Sequence, residues 1–395
     1  MKLVKSLLLG SVAGLAAIAG AQAADLPAKK AAAVEYVRVC STYGEGFFYI
    51  PGTDTCLRVA GRVRAEYRYA EPDTRFDDSI GFRARGRIQL DSRTATAYGL
   101  LRTFVRFEIT RDTGVYNSVP GTVTTSPDVD QAFIQFGGLT AGRAQTFFDN
   151  GDLDTQSFGT IRWSDQPNVN LLAYTFSFGN GFSATLSLEE PRFAGREALA
   201  SSNGLLAGER APDVVANLTY SGTWGSATVA GAVHQIRSIF PQVDTEYGFA
   251  VTGQATVNLP MLAAGDALWL AATYADGAAA YLGFGDEVQE ATYNLNDGEI
   301  DTTRGWQVAA GLRHYWTPDL RSNLFGSFAR IEYGSNTAFA NSDFDEWRAG
   351  TNLIWTPVSG LDLGVEILYA NDNPRAPGVR TTDSWEGRLR VQRDF

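Results

Sequence analysis

Histidine is almost absent. His234 and His314 are the only two in 395 residues, and neither has neighbours at metal-ligand or catalytic-dyad spacing. No G-x-S-x-G elbow and no phosphate-cradling glycine loop is found either. These absences argue against an enzyme, and no cofactor or metal is expected. Sulfur is scarce, with 2 Cys and 2 Met. Past the N-terminus, charges or turn residues interrupt every apolar run before it reaches the roughly 20 residues of a membrane-crossing helix. Positive charge is in deficit: 33 Lys and Arg against 44 Asp and Glu leave a formal net charge of -11, which excludes a typical nucleic-acid binder.

What the chain has in quantity is glycine and aromatics, with Gly 41, Phe 23, Tyr 16 and Trp 8. That balance suits long strands and tight turns. The first 23 residues carry Lys2 and Lys5, an apolar core and an Ala21-Gln22-Ala23 cleavage site, so residues 1–23 read as a signal peptide. Its removal takes two lysines and moves the formal charge from -11 to -13. In the oxidising compartment beyond, a Cys40–Cys56 disulfide is expected, tying down an N-terminal segment over 24–56. Two buried thiols are the weaker alternative, and a metal site would lack further ligands nearby.

Strand periodicity dominates the rest. In "CLRVAGRVRAEYRYA", residues 56–70, Arg58, Arg62, Arg64, Glu66 and Arg68 share one face at period two. Leu57, Val59, Gly61, Val63, Ala65, Tyr67 and Tyr69 share the other. On a helix neither set would cohere. The pattern recurs in "SIGFRARGRIQLD", with Arg83, Arg85 and Arg87 opposite Ile80, Phe82 and Ile88. It recurs again in "LRTFVRFEIT", with Arg102 and Arg106 opposite Val105 and Phe107. Further strands are expected over 129–137, 139–143, 169–179, 182–190, 212–221, 224–236, 245–257, 266–276, 305–316, 320–333, 344–356, 361–370 and 383–395. The face assignment of 320–333 is ambiguous.

With 57–69, 79–91 and 97–110 these make about sixteen, joined by alternating short turns and long loops. A soluble sandwich would use shorter strands and would not place arginines on adjacent solvent faces. The expected fold is all-β: a transmembrane antiparallel up-and-down β-barrel over 57–395, apolar face outward and arginine face around an aqueous lumen. Closure removes the sheet edges that lipid cannot satisfy.

The mature start "ADLPAKKAAAVEYVRVCSTYGEGFFYIPGTDTCLRVAGRVRAEYRY", the middle "VDQAFIQFGGLTAGRAQTFFD" and the terminal "LRVQRDF" resemble the alphaproteobacterial porin family over essentially the whole mature chain. The resemblance implies a homotrimer of sixteen-stranded barrels in the outer membrane, in contact with lipid and lipopolysaccharide. Each barrel would pass small hydrophilic solutes and ions by general diffusion. It also implies a third loop folded into the lumen, here residues 144–168, whose acids face the wall arginines across a constriction. A sugar-selective channel and a plugged structural or adhesive barrel are the alternatives.

On these grounds the pore-wall cluster is Arg58, Arg62, Arg64, Arg68, Arg83, Arg85, Arg87, Arg102 and Arg106. The bland alternative, a solvated outer surface, would point the apolar faces into the barrel. The constriction-loop acids are Asp149, Asp152, Asp154 and Asp165, against the plainer reading of an ordinary polar loop. "DNGDLD" lacks the order and the closing glutamate of a calcium loop. Tyr67, Tyr69, Trp306, Trp316, Trp347, Trp355, Tyr369 and Trp385 lie near strand ends, as interfacial girdles would. Phe395, ending an amphipathic last strand, resembles the signal read by the outer-membrane assembly machinery. Arg393 departs from that strand's apolar face.

Overall fold

The computed structural model describes residues 38–191, 207–208, 210–294, 296–334, 337 and 339–395. The expected signal peptide over 1–23 and most of the 191–211 connection lie outside the described residues.

Sixteen long strands follow one another: β1 Cys56–Ala70, β2 Ile80–Thr96, β3 Gly99–Thr113, β4 Val123–Phe136, β5 Leu139–Gln145, β6 Asn168–Gly179, β7 Phe182–Glu189 and β8 Asp213–Gly222 come first. Then come β9 Gly225–Ile236, β10 Glu246–Asn258, β11 Ala267–Asp276, β12 Arg304–Thr317, β13 Leu320–Glu332, β14 Phe344–Val358, β15 Leu361–Pro374 and β16 Thr382–Asp394. Each pairs antiparallel with the next, and β16 pairs with β1, so the sheet closes. No helix among the described residues is long and apolar enough to cross a membrane. The crossing elements are the strands.

All sixteen expected strands are present. Several run further than alternation alone implies: β4 begins at Val123 and not at 129, and β15 continues to Pro374. These extensions leave the hydrocarbon, where both faces meet water and period two loses its cause. The alternation itself holds. Val59, Val63, Phe82, Ile88, Phe107 and Ile109 are exposed on the outer surface, while Glu66, Asp91 and Glu108 are buried on the inner one.

Aromatic side chains form a band at each end of the strands. Trp347, Tyr369 and Trp385 pack in a row with centroids 4.9 and 4.8 Å apart, and Trp306 meets Phe328 at 5.2 Å, all at the long-loop end. Tyr220 and Trp224 stack at 5.6 Å near the short turns, the end that also carries Trp316 and Trp355. Tyr and Trp suit this level because each has an apolar body and a polar tip.

Below β1, Cys40 and Cys56 are joined by a disulfide, with Cα atoms 6.1 Å apart. A two-residue strand, Phe48–Tyr49, adds to the edge of β1. Phe47 is buried against the bridge, and the guanidiniums of Arg58 and Arg93 lie 5.4 and 4.8 Å from its ring. The lobe therefore occupies the short-turn end.

Candidate functional site

The inner face of β1–β4 and β14–β16 is rich in arginine and carboxylate, with arginine opposite carboxylate on some rungs and opposite arginine on others. Arg62 faces Asp394 across the β1–β16 ladder at 2.5 Å, and Arg83 faces Asp112 at 2.7 Å. Arg68 meets Glu386 at 2.5 Å, and Arg390 meets Glu66 at 2.6 Å. Glu108 takes both Arg87, its direct partner, and Arg85 at 3.4 Å. Arg102 bonds Asp91 at 3.0 Å and Arg106 bonds Asp130 at 3.2 Å. Directly opposed charges on one face of a sheet attract, and partial burial strengthens them.

The wall arginines are thus neutralised by wall carboxylates. Arg64 differs: its Nε donates to the amide oxygen of Gln392 at 2.9 Å, and no ion pair reaches it among the described residues. Arg58 also departs from the expected cluster, because it belongs to the lobe beside Phe47.

Between β5 and β6 the chain leaves the wall over residues 146–167, two residues inside the expected start and one inside the expected end. Its hydrogen bonds go to inward side chains on distant strands. The Asn150 amide donates to Gln254 of β10 at 2.8 Å, and Asn150 Nδ2 to Ser226 of β9 at 3.0 Å. The amides of Phe158 and Gly159 donate to the Glu366 carboxylate of β15 at 2.6 and 2.5 Å. Arg162 Nε donates to Glu346 of β14 at 2.6 Å. Burial opposes the Arg162 charge, but Glu346 and Glu287 outweigh it and hold the pKa above its ordinary value.

The four expected loop acids separate. Asp149 is buried; it accepts from Ser164, from Gln254 at 2.5 Å and from the Gln166 amide at 2.9 Å. Burial pushes its carboxyl up despite those donors. Asp152 accepts from Ser221 at 2.9 Å, away from the arginines. Asp154 meets Arg313 at 3.2 Å, and Asp165 lines the cavity beside the loop, where burial and then the neighbouring Asp149 push its carboxyl up to about 7. Asp154 and Asp165 share a cavity with expected wall residues. It measures about 420 Å³ and is lined by Arg62, Arg64, Arg321 and Arg390 on one side and Asp154, Gln156, Phe158 and Asp165 on the other.

Arg321 and Arg390 were not among the expected cluster. Arg390 had a signal: it alternates with Leu389 and Val391, so it faces inward by the same rule as Arg64. Arg321 lies on the strand whose faces were ambiguous. The structure explains that ambiguity, since β13 turns Leu324 outward and Phe325, Ala329 and Ile331 inward.

Comparison with known proteins agrees with the closed barrel. A family model described as the porin subfamily matches residues 25–388. Porin Omp2b of Brucella suis is 32% identical, covering 99% of this chain and 100% of its own length. Porin Omp2b of Brucella neotomae is 32% identical, with 99% of each covered. Among solved structures, the outer membrane channel DcaP of Acinetobacter baumannii superposes with a TM-score of 0.69 at 19% identity, over 88% of this chain and 99% of that one. An anion-selective porin from Comamonas acidovorans gives 0.53 at 10% identity, over 86% and 100%. At these identities the structural likeness concerns the fold.

Proposed function

The chain belongs to the porin subfamily, outer-membrane β-barrel channels for general diffusion, and from that premise we propose where its pore is narrowest and what faces the solute there. The protein is a channel in the outer membrane. The reading assigns no catalytic step to any residue.

Residues 146–167 are the constriction element, and the 420 Å³ cavity is the passage beside it. That cavity is the observation that carries the reading. Arg62, Arg64, Arg321 and Arg390 stand on its wall side, with Asp154 and Asp165 across from them, so a solute crosses a transverse field. Of these cations Arg62, Arg321 and Arg390 already hold carboxylates, which leaves Arg64 as the strongest attraction for a passing anion. The remaining arginines of the expected cluster, apart from Arg58 in the lobe, set the potential of the approach.

Three chains are proposed to assemble through the outward faces of β16, β1 and β2. There Ala65, Ala84, Leu389 and Val391 line a shallow apolar surface. Lipopolysaccharide would meet the long-loop end, and residues 1–23 would direct export and then be cleaved off. The assembly machinery would read the last strand and Phe395.

Planar-bilayer recording tests the reading. Ohmic steps grouped in threes are expected, with solute flux that does not saturate. A purified, folded protein giving no steps would refute the channel, and flux saturable by one sugar class would replace general diffusion with selective transport.

A further inference from the structure

The inner wall has two halves of different chemistry. Around β1–β4 and β14–β16 it is charged, as described above. Around β8–β11 and β13 it carries Val215, Ala230, Ala232, Ala250, Ala275 and Ala329, each at most 4% exposed. Alanine lining an open aqueous lumen would be wetted. These side chains are dry, so something covers them.

The cover is the connection between β11 and β12. Its residues Ala278–Leu282 are buried, as are Phe284 and Val288, and they form one apolar cluster with that alanine wall and with Phe148. Small inward residues leave the depth that an inserted loop needs. Polar groups finish the fit. The Glu290 carboxylate accepts the amides of Ala279 and Ala280 at 2.7 and 2.9 Å. Tyr281 donates through its hydroxyl to Asp213 of β8 at 2.9 Å.

This insertion also touches the first inward segment. Arg162 donates to the Gly283 carbonyl at 3.1 Å and to Glu287 at 2.5 Å while it holds Glu346 on the wall. Gly283 has φ +89°, and a Cβ there would lie 2.6 Å from the Trp163 amide nitrogen. The two backbones therefore meet without an intervening side chain.

We propose that residues 277–290 are a second constriction element, which fills the β8–β13 side of the barrel and confines solutes to the arginine-lined side, with Arg162 as the positioning residue between the two inward segments. The proposal rests on the porin reading and adds the path and the size limit.

Two full-length variants test it in planar bilayers and in liposomes challenged with a graded series of neutral sugars. One replaces residues 279–289 by a short Gly-Ser linker. The other combines R162M, E287Q and E346Q, so that no carboxylate is left buried without its cation. Removing one of two inward elements should raise single-channel conductance by about twofold, admit larger sugars and weaken charge selectivity, since the new path lacks the arginine rows. The triple variant should show intermediate conductance with added open-channel noise, and R162K alone should return most of the wild-type behaviour. If the linker variant fails to assemble, the triple variant decides. Wild-type conductance and sugar cut-off in assembled variants would overturn the second constriction while leaving the porin reading intact. A silent wild type would overturn the porin reading itself.

Discussion

Arg64 and Gln392 face each other across the β1–β16 ladder and are joined by a 2.9 Å hydrogen bond from guanidinium to neutral amide, where the neighbouring Arg62 has Asp394. The two arginines line the same cavity with different residual charge. A paired cation presents a dipole to a passing ion; an unpaired one presents a charge, and the difference lasts within a Debye length of ~8 Å at physiological salt.

Replacing Arg64 by glutamine should therefore shift reversal potential toward cations more than replacing Arg87, whose charge is held by Glu108. The pair of reversal potentials across a salt gradient checks this, and both shifts should shrink as salt rises. Equal shifts would mean that wall pairing does not govern the field.

The loop acids should divide in the same experiment. D154N removes a half-exposed charge at the cavity and should raise anion relative to cation permeability. D149N should leave selectivity nearly unchanged, because Asp149 is buried behind the segment. Its cost should appear as stability instead, about 1–3 kcal/mol for disturbing a buried acceptor with several donors. Thermal denaturation in detergent separates the two.

The disulfide should matter to stability and not to permeation. It closes a loop of sequence separation 16 at the short-turn end, away from the cavity lining. Loss of such a link costs about 3 kcal/mol in the chain-entropy account. The double C40S/C56S variant should unfold at lower temperature with single-channel conductance as in the wild type. A large conductance change in assembled protein would place the lobe in the pathway.

Docking of residues 277–290 should depend on pH. Burial pushes the Glu290 carboxyl up to about 7, opposed by His234 and by the amides of Ala279 and Ala280, with Asp213 adding to the rise. Glu189 and Tyr281 complete the ionisable surroundings. A carboxyl raised in the docked state takes up a proton more readily there than when free. Its contribution is therefore fully present below about 4.5 and lost as pH rises through about 7. Conductance and open-channel noise should be lower at about pH 5.5 than at about pH 8.5, and E290Q should flatten the difference. His234, which shares Asp213, is present in both proteins and is controlled by that comparison.

Much of this was legible in the chain. Period two marks a strand wherever one face meets lipid and the other water, and β1 to β3 meet both along most of their length. It fails where that cause is absent. On β13, Leu324 outward and Phe325 inward look alike, because the inner face packs on protein. The run "GAAAYLGF" over 277–284 has no periodicity, and only the alanines of β9 and β10, far away in sequence, reveal which way it turns. Pairing was hidden for another reason. Whether Arg390 holds Glu66 depends on the register of β16 against β1, and alternation fixes faces without fixing register. Asp149 read as a loop acid among others, and the glutamine that buries it stands 105 residues away.

Gly61 and Phe395 exchange backbone hydrogen bonds of 2.9 and 3.1 Å at the β1–β16 seam. That closure joins β1 to the residue that follows β16. A polypeptide released early, or clipped before its last strand, keeps two open ladders of amide and carbonyl groups. Each such group left unsatisfied in hydrocarbon costs several kcal/mol. Such a product cannot settle in the membrane as a narrower pore. The bilayer acts as the inspector of chain completeness, and a cell carrying truncated copies should accumulate periplasmic fragments for proteolysis and not leaky membranes.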